Sequence, residues 1–235
     1  MHPARTVVCV TWLLGACGDD GAGPVDAPVP AVDIDNGSCG DQIRFTGEYV
    51  DWDSDASFCG VNGALIEVVG GSMDSTAPNG RFDLCISDAP TTRLEVTQPT
   101  AMSQCTALPS SYTVPTILVA NKVVIQSGAF FSARAFTTAR QATFFQMLGA
   151  AFDSNKAQVH VHVEGAPRAV QITAAHGTTQ AITATTWAAG DTGKEVVFPN
   201  VDVGGGTTML TVTGGALGTG SIPLVAGTIT NVTVK

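Results

Sequence analysis

Thr228-Ile229-Thr230-Asn231-Val232-Thr233-Val234 alternates polar with apolar residues on each side of the polar pair Thr230-Asn231. This period of two is typical of a β-strand with one buried face, and Val, Ile and Thr favour strands. The same alternation runs from Ile43 to Val50, and again from Phe82 to Ile86 after the turn signal Asn79-Gly80. The sequence therefore predicts a mainly β protein in which this stretch is a half-buried final strand.

More strand-like runs fill the rest of the chain. They are Ala64–Val69, a run around Leu94 and Val96, residues 112–126, Gln158–Val163, Ala169–Ala174, Thr179–Thr186, Glu195–Val201, Thr208–Thr213 and Ile222–Val225. In the first half the strand starts are roughly 10 residues apart, a spacing that favours a β-sandwich.

One segment has the period of a helix instead. One face of this predicted helix contains Phe144, Phe145, Leu148, Ala151 and Phe152. Thr138 and Gln141 have the spacing of a capping box at its N-terminus. The pattern predicts one α-helix at about 138–152. We interpret its aromatic stripe as core packing rather than a ligand groove.

The two halves of the chain repeat a loose pattern of a Gly-Ala, an alternating strand, a glycine turn, an aromatic-containing strand and an alternating aliphatic strand. Its members are Gly63–Val68, Asn79–Leu84 and Thr92–Thr97 in the first half, and Gly165-Ala166 with Val170–Thr173, Thr192–Phe198 and Met209–Thr213 in the second. This pattern resembles the carboxypeptidase regulatory-like domain. The resemblance implies two tandem Ig-like/prealbumin-like (transthyretin-type) β-sandwiches with one connecting helix, and it covers about residues 40–110 and 156–235.

The first 17 residues have the order of an export signal: His2 and Arg5, an apolar run over residues 7–14, and small residues before a cysteine. Leu14-Gly15-Ala16-Cys17 resembles the lipobox of bacterial lipoproteins. The resemblance implies cleavage before Cys17 and a diacylglycerol on its thiol, which anchors the protein to a membrane of the bacterial envelope. Gly18, rather than Asp, follows Cys17 and favours the outer membrane.

These patterns divide the chain into five predicted segments. Residues 1–16 are the signal peptide, and 17–38 form a disordered Pro/Gly/Asp tether because they have too few apolar residues to offset the entropy of ordering. A disulfide-containing sandwich follows over 39–126, then a connecting helical segment over 127–155, and a second sandwich over 156–235.

The cysteines fit an exported domain. Besides Cys9 in the signal and Cys17, the chain contains Cys39, Cys59, Cys85 and Cys105. An even number in an oxidising compartment predicts two disulfides, and all three possible pairings stay open.

The composition excludes one class of partner. The formal net charge is −9, and no cluster of Lys or Arg interrupts the acidic sequence. Because such a chain repels phosphates, we expect no nucleic acid partner.

Two groups of residues are candidate metal sites. His160 and His162 share one strand face and form a candidate zinc or copper pair, whereas Glu164 lies roughly 13 Å from His160 along the strand. Asp51, Asp53 and Asp55 have the spacing of a loose calcium loop, although Ala56 and Asn62 replace the Gly and Glu of an EF-hand. The alternative to each is an ordinary solvated surface, so the expected cofactor is none, with Ca²⁺ or Zn²⁺ as alternatives.

No sequence motif of nucleophilic, zinc-peptidase or phosphate-binding chemistry occurs, and we expect no enzymatic activity. The predicted function is a lipid-anchored binding or scaffolding protein with a glycan or an envelope protein as partner. Trp52 and Trp187 are the tryptophans left after cleavage for stacking on a sugar. The alternatives are a metal-binding protein or metalloenzyme using His160 and His162, and a purely structural envelope spacer.

Overall fold

The structure is a computed structural model that describes residues 39–52, 59–103, 111–147, 150–182 and 187–235. Cys17, Asp53, Asp55 and Cys105 lie outside the described residues. The protein is mainly β, with several mixed sheets and almost no helix. Among the described residues, no helix has the length and apolar character needed to cross a membrane.

The elements of the fold fall in the following order along the chain. The strands are β1 (Ile43–Asp51), β2 (Leu65–Val68), β3 (Met73–Ser75), β4 (Arg81–Ile86), β5 (Thr91–Thr97), β6 (Thr116–Asn121), β7 (Phe131–Ala135), β8 (Ala157–Val163), β9 (Arg168–Ile172), β10 (Gln180–Ile182), β11 (Trp187–Ala189), β12 (Thr192–Gly193), β13 (Glu195–Val201), β14 (Thr207–Val212), β15 (Gly220–Pro223) and β16 (Ile229–Val234). The helices are α1 (Lys122–Gln126) and α2 (Thr138–Met147).

A nine-stranded sheet connects the two halves of the chain. Its order is β11-β10-β13-β8-β16-β6-β5-β2-β3, so strands from before α1 occupy one end and strands from after α2 occupy the other. The two groups meet at β16, which pairs in parallel with β8 on one side and with β6 on the other.

Two hydrophobic cores lie on opposite faces of this sheet. Ile117 and Val119 of β6 belong to one core, while Leu118 and Ala120 belong to the other. Because successive side chains of a strand point to opposite faces, the two cores must lie on opposite sides of β6.

A smaller sheet covers each core. The three-stranded sheet β4-β1-β7 contributes Phe45, Phe82 and Phe131 to the core that contains Leu118. The four-stranded sheet β12-β9-β14-β15 supplies side chains such as Leu210 to the core that contains Ile117. The result is three layers in which the central sheet is shared.

Several elements differ from their sequence patterns. All six residues of β16 are buried, because both faces of its sheet are covered, and so the half-buried expectation was wrong. Val123–Ile125 lie in the short helix α1 rather than in a strand. The segment 127–155 contains the strand β7 as well as α2, which begins at Thr138 as expected. The helix ends at Met147, so the expected continuation through residues 150–152 was wrong.

Two side chains of β16 form hydrogen bonds with the backbone of β7, as a neighbouring strand would. The Asn231 Oδ1 atom accepts the backbone N–H of Arg134 at 3.0 Å, and Asn231 Nδ2 lies 3.4 Å from the Arg134 carbonyl oxygen. Thr233 Oγ1 lies 3.4 Å from the backbone nitrogen of Ser132. These contacts satisfy backbone groups of β7 that would otherwise be buried without partners.

One disulfide ties the start of the domain to the three-stranded sheet. Cys39 is bonded to Cys85 of β4, and Cys59 is also disulfide-bonded. Of the three pairings open to the four cysteines, the one that contains Cys39–Cys85 pairs Cys59 with Cys105.

Peptide mapping tests this pairing. Trypsin cleaves after Arg44, Arg81, Arg93 and Lys122, which places each of the four cysteines in a separate peptide. We expect the unreduced digest to contain a peptide ending at Arg44 linked to peptide 82–93, and peptide 45–81 linked to peptide 94–122.

The same digest after reduction is the control, and both linked masses should disappear from it. A linked mass that joins peptide 45–81 to peptide 82–93 would contradict the pairing.

Candidate functional site

A buried polar cluster lies on the face of the central sheet that packs against β7. His160 of β8 is 1% exposed. Its Nδ1 atom is 2.7 Å from Asn231 Oδ1, and its Nε2 atom contacts Glu195 Oε2. Polar groups at this depth need hydrogen-bond partners, and both ring nitrogens have one.

The backbone of β7 determines which atom of the Asn231 amide faces His160. A backbone N–H can only donate, so the Asn231 oxygen must face Arg134 N, and it then accepts from His160 Nδ1 as well. The Nε2 atom of His160 faces a carboxylate. The orientation of Asn231 therefore makes Nδ1 a proton-bearing nitrogen of His160.

His162 extends the cluster towards the surface. Its Nδ1 atom is 2.9 Å from Glu195 Oε1, and its Nε2 atom is 3.4 Å from Glu164 Oε2. Arg134 Nη2 also lies 3.4 Å from Glu195 Oε1. The side chain of Glu195 is 10% exposed, so one carboxylate is held among two imidazoles and a guanidinium.

The surrounding charges shift two pKa values in opposite directions. Burial favours the neutral form of Glu195, but the charges and hydrogen bonds of His160 and His162 outweigh it and hold its pKa well below 4.5. Burial also opposes the charged form of His162. The hydrogen bonds and negative charges of Glu195 and Glu164 outweigh that effect and raise the pKa of His162 above 6.5.

Strand register brings these residues together. His160 pairs with Asn231 of β16, and His162 pairs with Glu195 of β13. Val159, Val161 and Val163 alternate with the histidines and point into the core on the opposite face. The sequence placed both histidines on one face, and that placement agrees with the structure. The partners Arg134, Glu195 and Asn231 were missed because each lies on a different strand.

The two histidines differ in their availability to a metal ion. Both nitrogens of His160 already contact protein atoms, whereas Nε2 of His162 faces the surface beside Glu164. Within the part of the chain that the structure describes, no group of three or more His, Cys, Asp or Glu side chains could hold a metal ion.

The two tryptophans lie in an aromatic cluster beside His160. Trp52 is 3% exposed, and its ring stacks on Phe136 at a centroid distance of 4.4 Å and on Trp187 at 5.3 Å. Phe144 of α2 packs edge-on against both tryptophans. The aromatic stripe of α2 is therefore used for internal packing near Trp52, and the half-buried Trp187 is the more accessible of the two tryptophans.

Asp51 points inward at the end of β1. Its side chain is fully buried, and Oδ2 accepts hydrogen bonds from Ser103 Oγ and, at 2.7 Å, from the Tyr112 hydroxyl. Burial raises the pKa of the Tyr112 phenol above its ordinary value, so Tyr112 stays a donor to Asp51.

A shallow groove runs beside α2 and has a volume of about 560 Å³. It is lined by Thr138, Gln141, Phe145, Gln146, Ala150, Ala151 and Phe152. Phe145 is buried, and its ring meets that of the half-exposed Phe152 at 5.2 Å. The described residues of the lining thus combine an aromatic edge with amide groups, and none of them is charged.

Comparisons with known proteins add little to this geometry. Neither a family model nor a curated protein sequence matches the chain. Among solved structures, the Bacillus anthracis TIE protein is similar at a TM-score of 0.23 and 9% sequence identity, over 82% of this chain. The match covers 34% of the length of that protein, and a TM-score this low carries no argument about fold or function.

The buried cluster predicts how stability changes with pH. The contribution of Glu195 is present above pH 4.5 and is lost as the pH falls through its lowered pKa. The contribution of His162 is complete below pH 6.5 and is lost as the pH rises through its raised pKa. We expect the free energy of unfolding that the cluster supplies, measured with urea at each pH, to be greatest between pH 4.5 and 6.5.

Glu195→Gln serves as the comparison. It removes the negative charge that raises the pKa of His162 and leaves the other members of the cluster buried without their carboxylate partner, so it should lower the free energy of unfolding by about 3–5 kcal/mol. The difference between wild type and this variant should shrink on both sides of that pH range. His176→Gln, at an exposed histidine, is the matched control and should keep the wild-type profile. A pH-independent difference would contradict the assignment.

Proposed function

We propose that this protein is a bacterial lipoprotein, anchored to a membrane of the cell envelope through a diacylglycerol on Cys17. The observation that carries this proposal is Leu14-Gly15-Ala16-Cys17, which follows a short apolar run and precedes the Pro/Gly/Asp-rich segment 17–38. Among the described residues the first strand begins at Ile43, about 25 residues after Cys17 in the sequence, a length that a Pro/Gly-rich spacer can provide. The outer membrane is the proposed location.

The folded part is proposed to act without catalysis, as a binding or scaffolding module made of two tandem transthyretin-type sandwiches related to carboxypeptidase regulatory-like domains. Two observations support the paired arrangement. Each hydrophobic core takes most of its residues from one half of the chain, with Ile117 and Val119 of β6 as the exceptions, and each core has its own covering sheet. The shared central sheet would make the pair one stiff unit at the end of the tether.

Replacement of Cys17 tests the anchor. The full chain, expressed in a bacterium fed with labelled palmitate, should incorporate label and partition into the detergent phase of a two-phase extraction. Cys17→Ser removes the thiol that forms the thioether, so both signals should be lost.

Cys9→Ser is the matched control, because Cys9 lies within the segment that is removed. This variant should keep its label. Label that persists in Cys17→Ser would refute the anchor, whatever the folded part does.

A neutral glycan is the proposed ligand of the folded part. The groove beside α2 supports this choice, because Gln141 and Gln146 offer amide donors and acceptors next to the ring of Phe152. Sugars bind through such combinations of hydrogen bonds and aromatic contact. Trp187 keeps partial exposure and stays a candidate for stacking, whereas the ring of Trp52 is buried by its neighbours.

A glycan array tests this proposal. The double variant Gln141→Ala with Gln146→Ala should lose any glycan signal that the wild type gives, since it removes the amides from the groove. Gln171→Ala, at an exposed glutamine of β9, is the control and should bind like the wild type. An array on which the wild type binds nothing would contradict the proposal.

The remaining hypotheses are supported by fewer observations. A calcium loop at Asp51, Asp53 and Asp55 would need Asp51 to leave its hydrogen bonds with Ser103 and Tyr112. A metal site or metalloenzyme built on His160 and His162 together would need His160 to give up Asn231 or Glu195. A purely structural spacer is supported by the tether sequence and by the shared central sheet.

A further inference from the structure

The strand register shows which segments lie together where the chain enters the fold at Cys39, just before β1. Ile43 begins β1 and pairs with Ile86, the last residue of β4. A short turn then leads to β5, whose first residue, Thr91, pairs with Asn121 at the end of β6. The helix α1 follows Asn121 directly. The segment 39–43, the turn 87–90 and α1 therefore lie at one end of the layers, which we call the entry end.

Two loops that connect other strands reach the same end. β2 runs antiparallel to β5, and its last residue, Val68, pairs with Leu94, so the turn from β2 to β3 lies beside the start of β5. β16 runs parallel to β6, and Lys235 beyond it forms two backbone hydrogen bonds with Leu217, of 2.7 and 3.1 Å. The loops 69–72 and 213–219 therefore belong to the entry end as well.

Exposed apolar side chains are concentrated at the entry end. The described residues include seven large hydrophobic side chains that are exposed, and five of them lie on these loops, on α1 or directly beside them. These five are Val69 at 67% exposure, Met73 at 57%, Val123 at 47%, Leu217 at 40% and Phe130 at 37%. Phe130 adjoins the entry end because it lines one groove with Arg44 of β1 and Ile125 of α1. Such a concentration, unlike single exposed residues, indicates an interaction surface.

The other two exposed hydrophobic side chains lie elsewhere. Met102 precedes Ser103, which donates a hydrogen bond to Asp51 at the last position of β1, so Met102 lies at the opposite end of that strand. Met209 lies on β14, on the face opposite to the core residue Leu210. Apolar exposure thus distinguishes the entry end from the other surfaces of the described fold.

Two ion pairs border the apolar residues. Lys122 of α1 contacts Asp88 of the turn 87–90, and Arg44 of β1 contacts Asp83 of β4. Because each of these cations has an anion beside it, the two pairs add no net charge to the surface. A lipid headgroup layer accommodates polar groups of this kind, while the boundary with the acyl chains takes up apolar side chains. The combination fits a bilayer better than a partner protein of opposite charge.

We propose that the entry end docks on the bilayer that holds the diacylglycerol of Cys17, and that Val69, Val123 and Leu217 enter the boundary between headgroups and acyl chains. This docking rests on the proposed lipid anchor. The anchor fixes one end of the segment 17–38 in the bilayer, and the other end of that segment leads into Cys39. The entry end is therefore the part of the fold that the anchor keeps nearest to the lipid.

Docking at the entry end also orients the groove beside α2. β7 runs parallel to β1 and so leads away from the entry end, and α2 begins just beyond it at Thr138. The groove lined by Gln141 and Gln146 therefore lies at the end away from the bilayer, where a glycan can reach it.

Quenching by brominated phospholipid tests the docking. The lipidated protein is placed in phosphatidylcholine vesicles with brominated or with unmodified acyl chains, and the tryptophan emission of the two samples is compared. Val69→Trp and Val123→Trp each add an indole at the entry end, so each variant should lose emission in brominated vesicles beyond any loss seen in the wild type. The wild type supplies the background emission of Trp52 and Trp187.

Met102→Trp and Met209→Trp are the matched controls, because they add an indole at exposed positions away from the entry end. Neither control should lose more emission than the wild type. Circular dichroism identifies a variant that fails to fold, and the two probes at the entry end are independent of each other. Palmitate label is measured in the same samples. Labelled protein whose probes at 69 and 123 are quenched no more than the controls would overturn the docking and leave the anchor intact, whereas protein without label would refute both.

Discussion

The fold depends on a single strand being buried on both faces. β16 lies in the centre of the nine-stranded sheet, in parallel register with β8 and β6, and none of its six residues is exposed. Val232 and Val234 enter the core under the four-stranded sheet. Asn231 and Thr233 point the other way and bind the backbone of β7. One short stretch thus connects both halves of the chain and both outer layers.

The same strand explains why a charged cluster is tolerated in the interior. Asn231 has to face Arg134 N with its oxygen, and that orientation gives His160 an acceptor on one side. Glu195 supplies the acceptor on the other side and also holds His162 and Arg134. A buried ion pair contributes little by itself, but the loss of one member is costly because its partner stays buried and charged. The cluster is therefore better understood as a structural connection between sheets than as a set of free ligands.

The three-layer arrangement also separates two kinds of surface. The aromatic cluster around Trp52 and the groove beside α2 lie near the polar cluster, where β7 and α2 connect the two halves. The strands of the four-stranded sheet present exposed polar side chains, such as Gln171 and Thr211, on the outside. The aromatic rings and the groove are thus concentrated around β7 and α2, in the segment between the two repeated sequence patterns.

The sequence alone determined the β character, most strand positions, the start of α2 and the pairing of histidines on one face, because side-chain periodicity is a local property. The motif Leu14–Cys17 also predicted lipid attachment at Cys17. Only the tertiary structure decided that β16 is buried on both sides, that Val123–Ile125 turn into a helix, and that Cys39 pairs with Cys85. Strand order and register join residues such as His160, Glu195 and Asn231, which are far apart in the chain. No local pattern records those contacts, because they depend on which strands become neighbours.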